Sequence, residues 1–250
     1  MTQTKTAAGG LSGNALKLIA AAAMVTDHVG LMFFPGNLIF RIIGRLALPI
    51  YAFMIAEGCK YTKNRLKYFL TVFGLGAVCQ AVYWFFAGST YFSILITFSL
   101  SILTIYALQF FRESVFDPAA PVIKKICSAA LAIGVVAAVW QLNRVATIDY
   151  GFWGCMLPAF TGAFRRRRGS EPDKLDALDR PMVHIVMLAL GSLLLALDQG
   201  GVQYYALLAL PMLMLYSGRR GKGNLKYFFY IFYPVHLALL QGIQMLLQML

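Results

Sequence analysis

Residues 93–111 read Ser93-Ile-Leu-Ile-Thr-Phe-Ser-Leu-Ser-Ile-Leu-Thr-Ile-Tyr-Ala-Leu-Gln-Phe-Phe111, a stretch without a single charged side chain. Its apolar residues occupy every face of a helix rather than one stripe, and it is as long as a bilayer requires. Only helices and closed barrels satisfy the backbone hydrogen bonds in lipid, and a barrel strand would alternate over about ten residues. The stretch therefore predicts a transmembrane helix.

The rest of the chain has the same character. Hydrophobic residues make up 60% of the 250 residues and charged residues only 13%, about half of the charged share of a soluble domain. We predict an all-α integral membrane protein with a single polytopic domain over residues 1–250. About nine transmembrane spans are expected, near residues 15–34, 39–57, 67–87, 93–111, 126–142, 151–164, 182–197, 203–217 and 225–248. The sixth and eighth are short and contain Pro158 and Pro211, so that eight to ten spans are possible.

The distribution of positive charge predicts the orientation. The net charge is +12, but the basic residues form short clusters between apolar runs, which is typical of cytoplasmic loops and not of a nucleic-acid-binding face. With a cytoplasmic N-terminus, every Lys and Arg except Arg41, Arg45 and Arg144 falls on the inner side. The longest predicted loop, residues 165–181, is a basic cytoplasmic segment that we interpret as solvated and mobile.

The cysteines carry no sign of a metal site. Their spacing is not that of metal ligands, and they lie in or at the ends of predicted spans, where buried free thiols are favoured over disulfides. They are Cys59, Cys79, Cys127 and Cys155. We expect no bound metal.

Ionisable residues within the spans are the informative ones, because each costs at least about 2.5–3.5 kcal/mol at a helix centre unless it is paired or hydrated. Asp27 in the first span and Arg45 in the antiparallel second span lie at similar depth, which predicts a buried ion pair. Arg41, one turn from Arg45, is an alternative or additional partner. His28 would then be left to face a cavity.

Two prolines within spans point to the same kind of site. Pro49 frees the carbonyl of Arg45, and Pro234 frees that of Tyr230, because proline has no N–H to donate. Each therefore predicts a bend near an ionisable side chain, Arg45 in one span and His236 in the other.

Structural roles remain open for all of these residues. His236 could join two helices by a hydrogen bond, and Asp27 with Arg45 could be purely structural. Glu57 lies at the inner end of the second span, where a carboxylate is tolerated. His184 is expected at a helix end near the interface. For Asp149, in a short outer loop, the structural and functional interpretations are balanced.

Four segments resemble the TraX family, which is named for a pilin N-terminal acetylase and belongs to a wider group of transmembrane acyltransferases. The segments are Met24-Val-Thr-Asp-His-Val-Gly30 with Pro35, Arg41-Ile-Ile-Gly-Arg-Leu-Ala-Leu-Pro-Ile-Tyr-Ala-Phe53, Ile148-Asp-Tyr-Gly-Phe-Trp-Gly154 and Lys226-Tyr-Phe-Phe-Tyr-Ile-Phe-Tyr-Pro-Val-His-Leu237. They occur in family order over most of the chain, whereas residues 88–147 match mainly in hydropathy.

The resemblance implies transfer of an acetyl group from cytoplasmic acetyl-CoA to an amine or hydroxyl at the far side of a bacterial cytoplasmic membrane. The acceptor could be a protein N-terminus, a sugar or a small molecule. By residue, the family's Asp-His pair falls on Asp27 and His28, its Gly-Arg on Gly44 and Arg45, and its Tyr-Pro-x-His on Tyr233 and His236.

These residue types suit acetyl transfer. A histidine titrates near working pH and can take the acceptor's proton, for which His28 is the candidate. Arg45, Tyr233 or His236 could stabilise the negative charge on the thioester oxygen. Asp27 would offset the buried Arg45 charge or raise the basicity of the histidine.

The phosphates of CoA require cations on the inner side. Candidates from the basic clusters are Lys60, Lys63, Arg65, Lys67, Lys222 and Lys226.

A proton-coupled transporter of small solutes is the alternative function, because buried Asp, His and Arg on bent helices also suit a proton relay. Such transporters usually contain inverted repeats, which we do not find in the sequence. A structural or assembly subunit is the third possibility and would tolerate alanine at Asp27, His28 and Arg45 together.

Overall fold

The computed structural model describes residues 10–223 and 225–249, without the side chains of residues 86, 87, 226, 227 and 230. Over this part the protein is helical, and its β-structure is limited to two isolated bridges, Leu11 with Tyr216 and Phe92 with Ile148. The helices are α1 (Gly13–Phe33), α2 (Leu38–Gly44), α3 (Ala47–Tyr61), α4 (Arg65–Ala87), α5 (Ile94–Phe116), α6 (Val122–Val145), α7 (Gly151–Gly162), α8 (Pro181–Gln199), α9 (Leu210–Met214) and α10 (Lys226–Met249), with 3-10 helices at Lys174–Leu178 and Gly201–Ala209. The predicted all-α class is confirmed.

Seven segments of the described chain are long and apolar enough to cross a membrane. They are Gly13–Phe33, Leu38–Tyr61 (α2 with α3), Arg65–Phe85, Ile94–Phe116, Val122–Val145, Pro181–Gln199 and Ile231–Met249. Each overlaps one of the predicted spans. The chain is therefore a multi-pass helical membrane protein.

The count of nine spans is not confirmed, because the sixth and eighth predicted spans form short helices. α7 has 12 residues, with Pro158 inside it. At 1.5 Å per residue it is about 18 Å long, against about 30 Å of hydrocarbon. The eighth consists of the 3-10 helix Gly201–Ala209 followed by α9 with Pro211 in its first turn.

The helices group into two compact units, which we describe separately. The first contains the described residues up to Tyr51 and from Gly200 onward. In it α1 packs against α2 and α10, and both α2 and α9 contact the 3-10 helix Gly201–Ala209. α1 and α2 approach closely at Gly30, where an added Cβ would collide with Phe40.

Within this unit, the basic loop of residues 219–222 is hydrogen-bonded to the start of α1. The N–H groups of Gly13 and Asn14 donate to the carbonyls of Arg219 (2.8 Å) and Arg220 (2.9 Å). The Asn14 side-chain amide donates to the carbonyl of Lys222 at 3.0 Å. First-turn N–H groups, which have no partner inside a helix, are thus satisfied by residues more than 200 positions later.

The second unit contains Ala52–Gln199 and is organised around α5. α5 packs against α4, α6 and α7, and α7 also packs against α8. Ile102 and Ile105 of α5 are fully buried, and the Ser101 hydroxyl donates to the carbonyl of Cys155 on α7 at 2.7 Å. The uncharged stretch 93–111 is therefore the central helix of this unit.

Residues 165–181 are exposed along much of their length, as expected, but they also contain the 3-10 helix Lys174–Leu178 and side chains held by ion pairs, which the sequence analysis did not predict. Arg112, with a side chain only 6% exposed, donates to Asp173 at 2.7 Å and to Asp176 at 2.9 Å. Asp179 accepts from Lys60 at 3.0 Å and contacts His184 at 2.7 Å. The acidic residues of the segment, which the sequence analysis did not consider beside its run of arginines, attach the segment to the helices by ion pairs.

The same contacts lower the pKa of two carboxyl groups in this segment. Burial alone would raise the pKa of Asp179, but the hydrogen bond with His184 and the charge of Lys60 outweigh it and hold that pKa well below its usual range. The pKa of Asp173 is also lowered, since its hydrogen bond with Arg112 outweighs its burial. Both groups are therefore ionised at neutral pH.

The cysteines are free thiols, as predicted. Cys59, Cys79 and Cys155 are buried, whereas Cys127 is exposed.

Candidate active site

Arg45 belongs to the first unit and lies at a break between α2 and α3. α2 ends at Gly44, and the N–H of Arg45 still donates to the carbonyl of Arg41 at 3.1 Å. α3 begins at Ala47, and Pro49 in its first turn has no N–H to offer to the Arg45 carbonyl. The predicted bend in the second span is thus a complete interruption of the helix, with the arginine at it.

The predicted ion pair between Asp27 and Arg45 is present. Nη2 of Arg45 lies 3.0 Å from Oδ1 and 2.9 Å from Oδ2 of Asp27. Nη1 of Arg41 also approaches Oδ2, at 2.8 Å, so that the second predicted partner is additional and not alternative. The Arg45 side chain is 9% exposed and that of Asp27 15%. Two guanidinium groups share one carboxylate, which leaves a formal charge of about +1.

Gly44 makes this arrangement sterically possible. A Cβ built on Gly44 would collide with Oδ1, Cβ and Cγ of Asp27. The carboxylate therefore lies directly against the backbone of α2, one residue before Arg45. This close approach gives the Gly-Arg dipeptide at 44 and 45 a physical reason.

Gln203 completes the surroundings of Arg45. Its Oε1 accepts a hydrogen bond from Nη1 of Arg45 at 3.1 Å, and the residue is only 2% exposed. It lies in the 3-10 helix Gly201–Ala209, which contacts α2. The sequence analysis missed it. The available signal was a neutral polar side chain near the start of an apolar stretch, two residues after Gly201. The chain adopts positive φ at both Gly200 and Gly201.

His28 and His236 are brought together, with ring centroids 5.2 Å apart and planes at 63°. Nδ1 of His28 lies 2.8 Å from the carbonyl of Met24, and Nδ1 of His236 lies 2.9 Å from the carbonyl of Phe232. A carbonyl only accepts, so each Nδ1 carries a proton and each neutral ring leaves Nε2 unprotonated. The pair thus offers two basic nitrogens.

Aromatic rings surround His236. Phe232 stacks on it with centroids 5.0 Å apart, and Tyr233 meets it edge-on at 5.7 Å. His236 is 5% exposed and Tyr233 9%. All five predicted catalytic residues, Asp27, His28, Arg45, Tyr233 and His236, therefore belong to the same unit and lie on α1, α10 or the α2–α3 break.

Asp27 and His28 are neighbours in sequence but have different partners. Both carboxylate oxygens of Asp27 are engaged by guanidinium groups, and the His28 ring contacts a main-chain carbonyl. This favours the role of Asp27 in offsetting the Arg45 charge over its alternative role of raising the basicity of the histidine.

The basic residues expected to bind CoA divide between the two units. Lys60 is engaged by Asp179, and Nη2 of Arg65 donates to Gln109 at 2.8 Å. Lys63 and Lys67 are exposed. These four belong to the second unit.

Lys222 is exposed and belongs to the first unit, in the loop fastened to α1. The side chain of Lys226 lies outside the described residues. No group of three or more His, Cys, Asp or Glu side chains that could hold a metal ion occurs in the described part of the chain.

The other polar residues singled out in the sequence have structural contacts in the second unit. Glu57 forms an ion pair with Arg165, whose guanidinium lies 4.3 Å from the ring centroid of Phe53. His184 lies in the first turn of α8, as expected, and is buried against Asp179.

Asp149 is also part of a structural junction. It accepts from the Tyr91 hydroxyl at 2.6 Å, and its carbonyl accepts from the Thr97 hydroxyl at 2.9 Å. Burial and the adjacent Asp149 charge raise the pKa of Tyr91, which stays a hydrogen-bond donor at all ordinary pH values. The motif around Asp149 thus connects the start of α7 to the start of α5.

Comparison with known proteins shows the family of the chain. The model of the TraX protein family matches residues 12–244. The chain belongs to the TraX family. This TraX protein is 28% identical over 256 residues to a probable fimbrial assembly protein, FimC of serogroup H1, from Dichelobacter nodosus, with 93% of this chain and 96% of the relative covered. It is also 50% identical over 38 residues to an uncharacterised protein of Rickettsia prowazekii (strain Madrid E), with 15% of each chain covered. No solved structure matches.

Proposed function

We propose that the protein is an acetyltransferase of the bacterial cytoplasmic membrane. It would transfer an acetyl group from cytoplasmic acetyl-CoA to an amine or hydroxyl at the outer side of the membrane. The observation that carries this proposal is the His28–His236 pair, in which each ring holds its proton on Nδ1 and leaves Nε2 free to accept one. Membership of the TraX family supports it.

In the proposed reaction the acceptor's nitrogen or oxygen attacks the thioester carbon while its proton passes to Nε2 of His28. The carbonyl oxygen becomes negatively charged in the tetrahedral intermediate. The C–S bond then breaks, the carbonyl re-forms, and the thiolate of CoA takes the proton from the imidazolium. The histidine returns to its starting form, so that it acts as base and then as acid.

The charges of the site suit the intermediate. Asp27 neutralises only one of the two guanidinium groups that it contacts, and Arg45 is almost fully withdrawn from solvent. A net positive charge in a water-poor site stabilises a developing oxyanion far more than it would in water. Preformed contacts with Asp27 and Gln203 hold Arg45 in place before the reaction begins.

The phosphates of the donor would bind at the start of α1. Lys222 lies there with Arg219 and Arg220, all three exposed, and Lys17 is one turn into the helix. His28 is on the same helix, about 16 Å further along its axis at 1.5 Å per residue. The pantetheine arm of CoA would bridge this separation. With the N-terminus in the cytoplasm, as the positive charges favour, this cluster faces the acetyl-CoA pool.

The test uses purified protein, labelled acetyl-CoA and the envelope fraction of the host, followed by identification of the labelled product. Fimbrial subunits are the first acceptors to examine because the relative in Dichelobacter nodosus is described as a fimbrial assembly protein. His28→Asn keeps a donor for the Met24 carbonyl and removes the base, so we expect turnover to fall by about 10²–10⁴-fold.

Binding distinguishes this function from solute transport. Acetyl-CoA and CoA should raise the unfolding temperature of the wild-type protein and of His28→Asn alike, because a ligand stabilises the state that binds it. If neither compound stabilises the protein and no product is labelled, the proposed function is wrong.

A further inference from the structure

The orientation of the Gln203 side chain is determined by its neighbour. A guanidinium group has only donors, so the atom 3.1 Å from Nη1 of Arg45 must be the amide oxygen. The NH₂ group therefore points away from Arg45. Contact with a cation at the oxygen also withdraws electrons from the amide and strengthens its N–H groups as donors.

The NH₂ group of Gln203 is a buried donor without an acceptor among the described residues. The residue is 2% exposed, and an unsatisfied buried donor costs about 1–3 kcal/mol. His236 presents the opposite case, because its Nε2 is a buried acceptor that has no donor in the described part of the chain. The same unit thus contains an unmatched donor on Gln203 and an unmatched acceptor on His236, both on side chains at least nine-tenths buried.

A carbonyl oxygen would satisfy the Gln203 donor, and an N–H or O–H would satisfy the His236 acceptor. This is the combination present when an acetyl thioester and its acceptor meet. A solute with only one kind of hydrogen-bonding atom would leave the other unmatched. The two orphan atoms therefore match the reacting groups better than they match a simple ion.

We propose that Gln203 is a catalytic residue that donates an amide N–H to the acetyl carbonyl oxygen of the bound thioester. This inference rests on the proposed acetyl transfer. The hydrogen bond strengthens as the oxygen becomes negative, so the transition state gains more than the bound substrate does. Arg45 then acts on this oxygen partly through the amide that it polarises.

The competing role of Gln203 is to anchor Arg45 through Oε1 and nothing more. Gln203→Glu keeps an acceptor for Arg45 and has no N–H, but its negative charge also cancels the net positive charge of the site. A neutral second variant is therefore needed beside it. Gln203→Met has a similar shape and lacks both the acceptor and the donor. Both variants would be checked for folding by thermal unfolding, and Gln203→Glu is expected to unfold at or above the wild-type temperature because it adds an ion pair with Arg45.

The experiment measures turnover together with the infrared carbonyl stretch of acetyl-CoA labelled with ¹³C at the acetyl carbonyl. We expect the wild-type protein to lower the stretching frequency and both variants to lose most of that shift. We expect kcat to fall about 10²–10³-fold in both, with a much smaller change in KM for acetyl-CoA.

If Gln203→Glu keeps wild-type turnover and the wild-type frequency shift, Gln203 only anchors Arg45 and the inference is wrong, while acetyl transfer stands. If the wild-type protein does not bind acetyl-CoA at all, the proposed function and this inference both fail.

Discussion

Replacement of Gly44 by alanine tests the geometry of the charged site without removing any charged group. The added Cβ would collide with Oδ1, Cγ and Cβ of Asp27, and rotation of the side chain cannot move Cβ, so that the backbones of α1 and α2 must separate and carry the carboxylate away from Arg45. Alanine favours helix over glycine by about 1 kcal/mol. Loss of the bidentate contact leaves the Arg45 guanidinium buried without its counter-ion, which costs about 3–5 kcal/mol. We therefore expect a net destabilisation of about 2–4 kcal/mol.

Two other glycines provide matched controls. Gly134 lies inside α6 with no atom within 4 Å of an added Cβ, so Gly134→Ala should leave stability unchanged or raise it by up to about 1 kcal/mol. Gly30→Ala would collide with Phe40 and not with a charged residue. It should therefore show the cost of overpacking alone, which is about 1–3 kcal/mol. The higher helix propensity of alanine offsets about 1 kcal/mol of this cost.

The assay is denaturant unfolding in detergent, followed by circular dichroism, for the wild type and all three variants. Acetyl transfer is measured on the same samples, and Gly44→Ala should lose it while Gly134→Ala keeps it. If Gly44→Ala unfolds like Gly134→Ala, the close approach of Asp27 to the α2 backbone does not exist.

Three further predictions concern the ion pairs. Asp27→Asn should destabilise the protein by about 3–5 kcal/mol because it leaves the buried Arg45 without its counter-ion. Arg41→Gln leaves Asp27 paired with Arg45 and should cost about 1 kcal/mol or less. Equal losses of stability in denaturant unfolding would argue against the unequal burial of the two arginines. Glu57→Gln should cost about 3–5 kcal/mol of stability because its partner Arg165 has a side chain that is only 3% exposed. Asp117→Asn, in an exposed pair with Lys124, should cost at most about 1 kcal/mol. A larger loss of stability for Asp117→Asn than for Glu57→Gln would contradict the buried pairing. The pKa of Asp179 is lowered in the folded protein, so its contribution to stability is complete above its unfolded pKa of about 4 and is lost as the pH falls further. Asp179→Asn should therefore reduce the dependence of the unfolding free energy on pH in the acid range. An unchanged dependence on pH would refute the lowered pKa.

The spans and the charged pair could be predicted because each depends on local sequence or on depth alone. An uncharged run as long as 93–111 has no other stable conformation in a membrane protein. Asp27 and Arg45 could be paired because two antiparallel spans joined by a short connection place residues of equal depth side by side. TraX motifs predicted the same residues together with His28 and His236.

Other features depended on tertiary contacts that the sequence does not reveal. Gln203 lies 158 positions after Arg45, and nothing in its neighbourhood indicates that partner. The sequence placed Arg112 and Lys60 on the inner side without partners within the protein, yet acidic residues of the 165–181 segment bind both. Hydropathy also predicted one short helical span over residues 203–217, whereas this region forms a 3-10 helix after Gly200 followed by the short α9 with Pro211 in its first turn.

The long sequence separation between Arg45 and Gln203 has a consequence for biosynthesis. At about 5–20 residues per second, a ribosome completes Gln203 roughly 8–30 s after Arg45. During that interval Asp27 is already available, since it precedes both of its arginine partners in the chain. The hairpin of α1 and α2 can therefore enter the bilayer with one of its two guanidinium charges already neutralised, and the nascent protein acquires its amide donor only after about four-fifths of the chain has been synthesised.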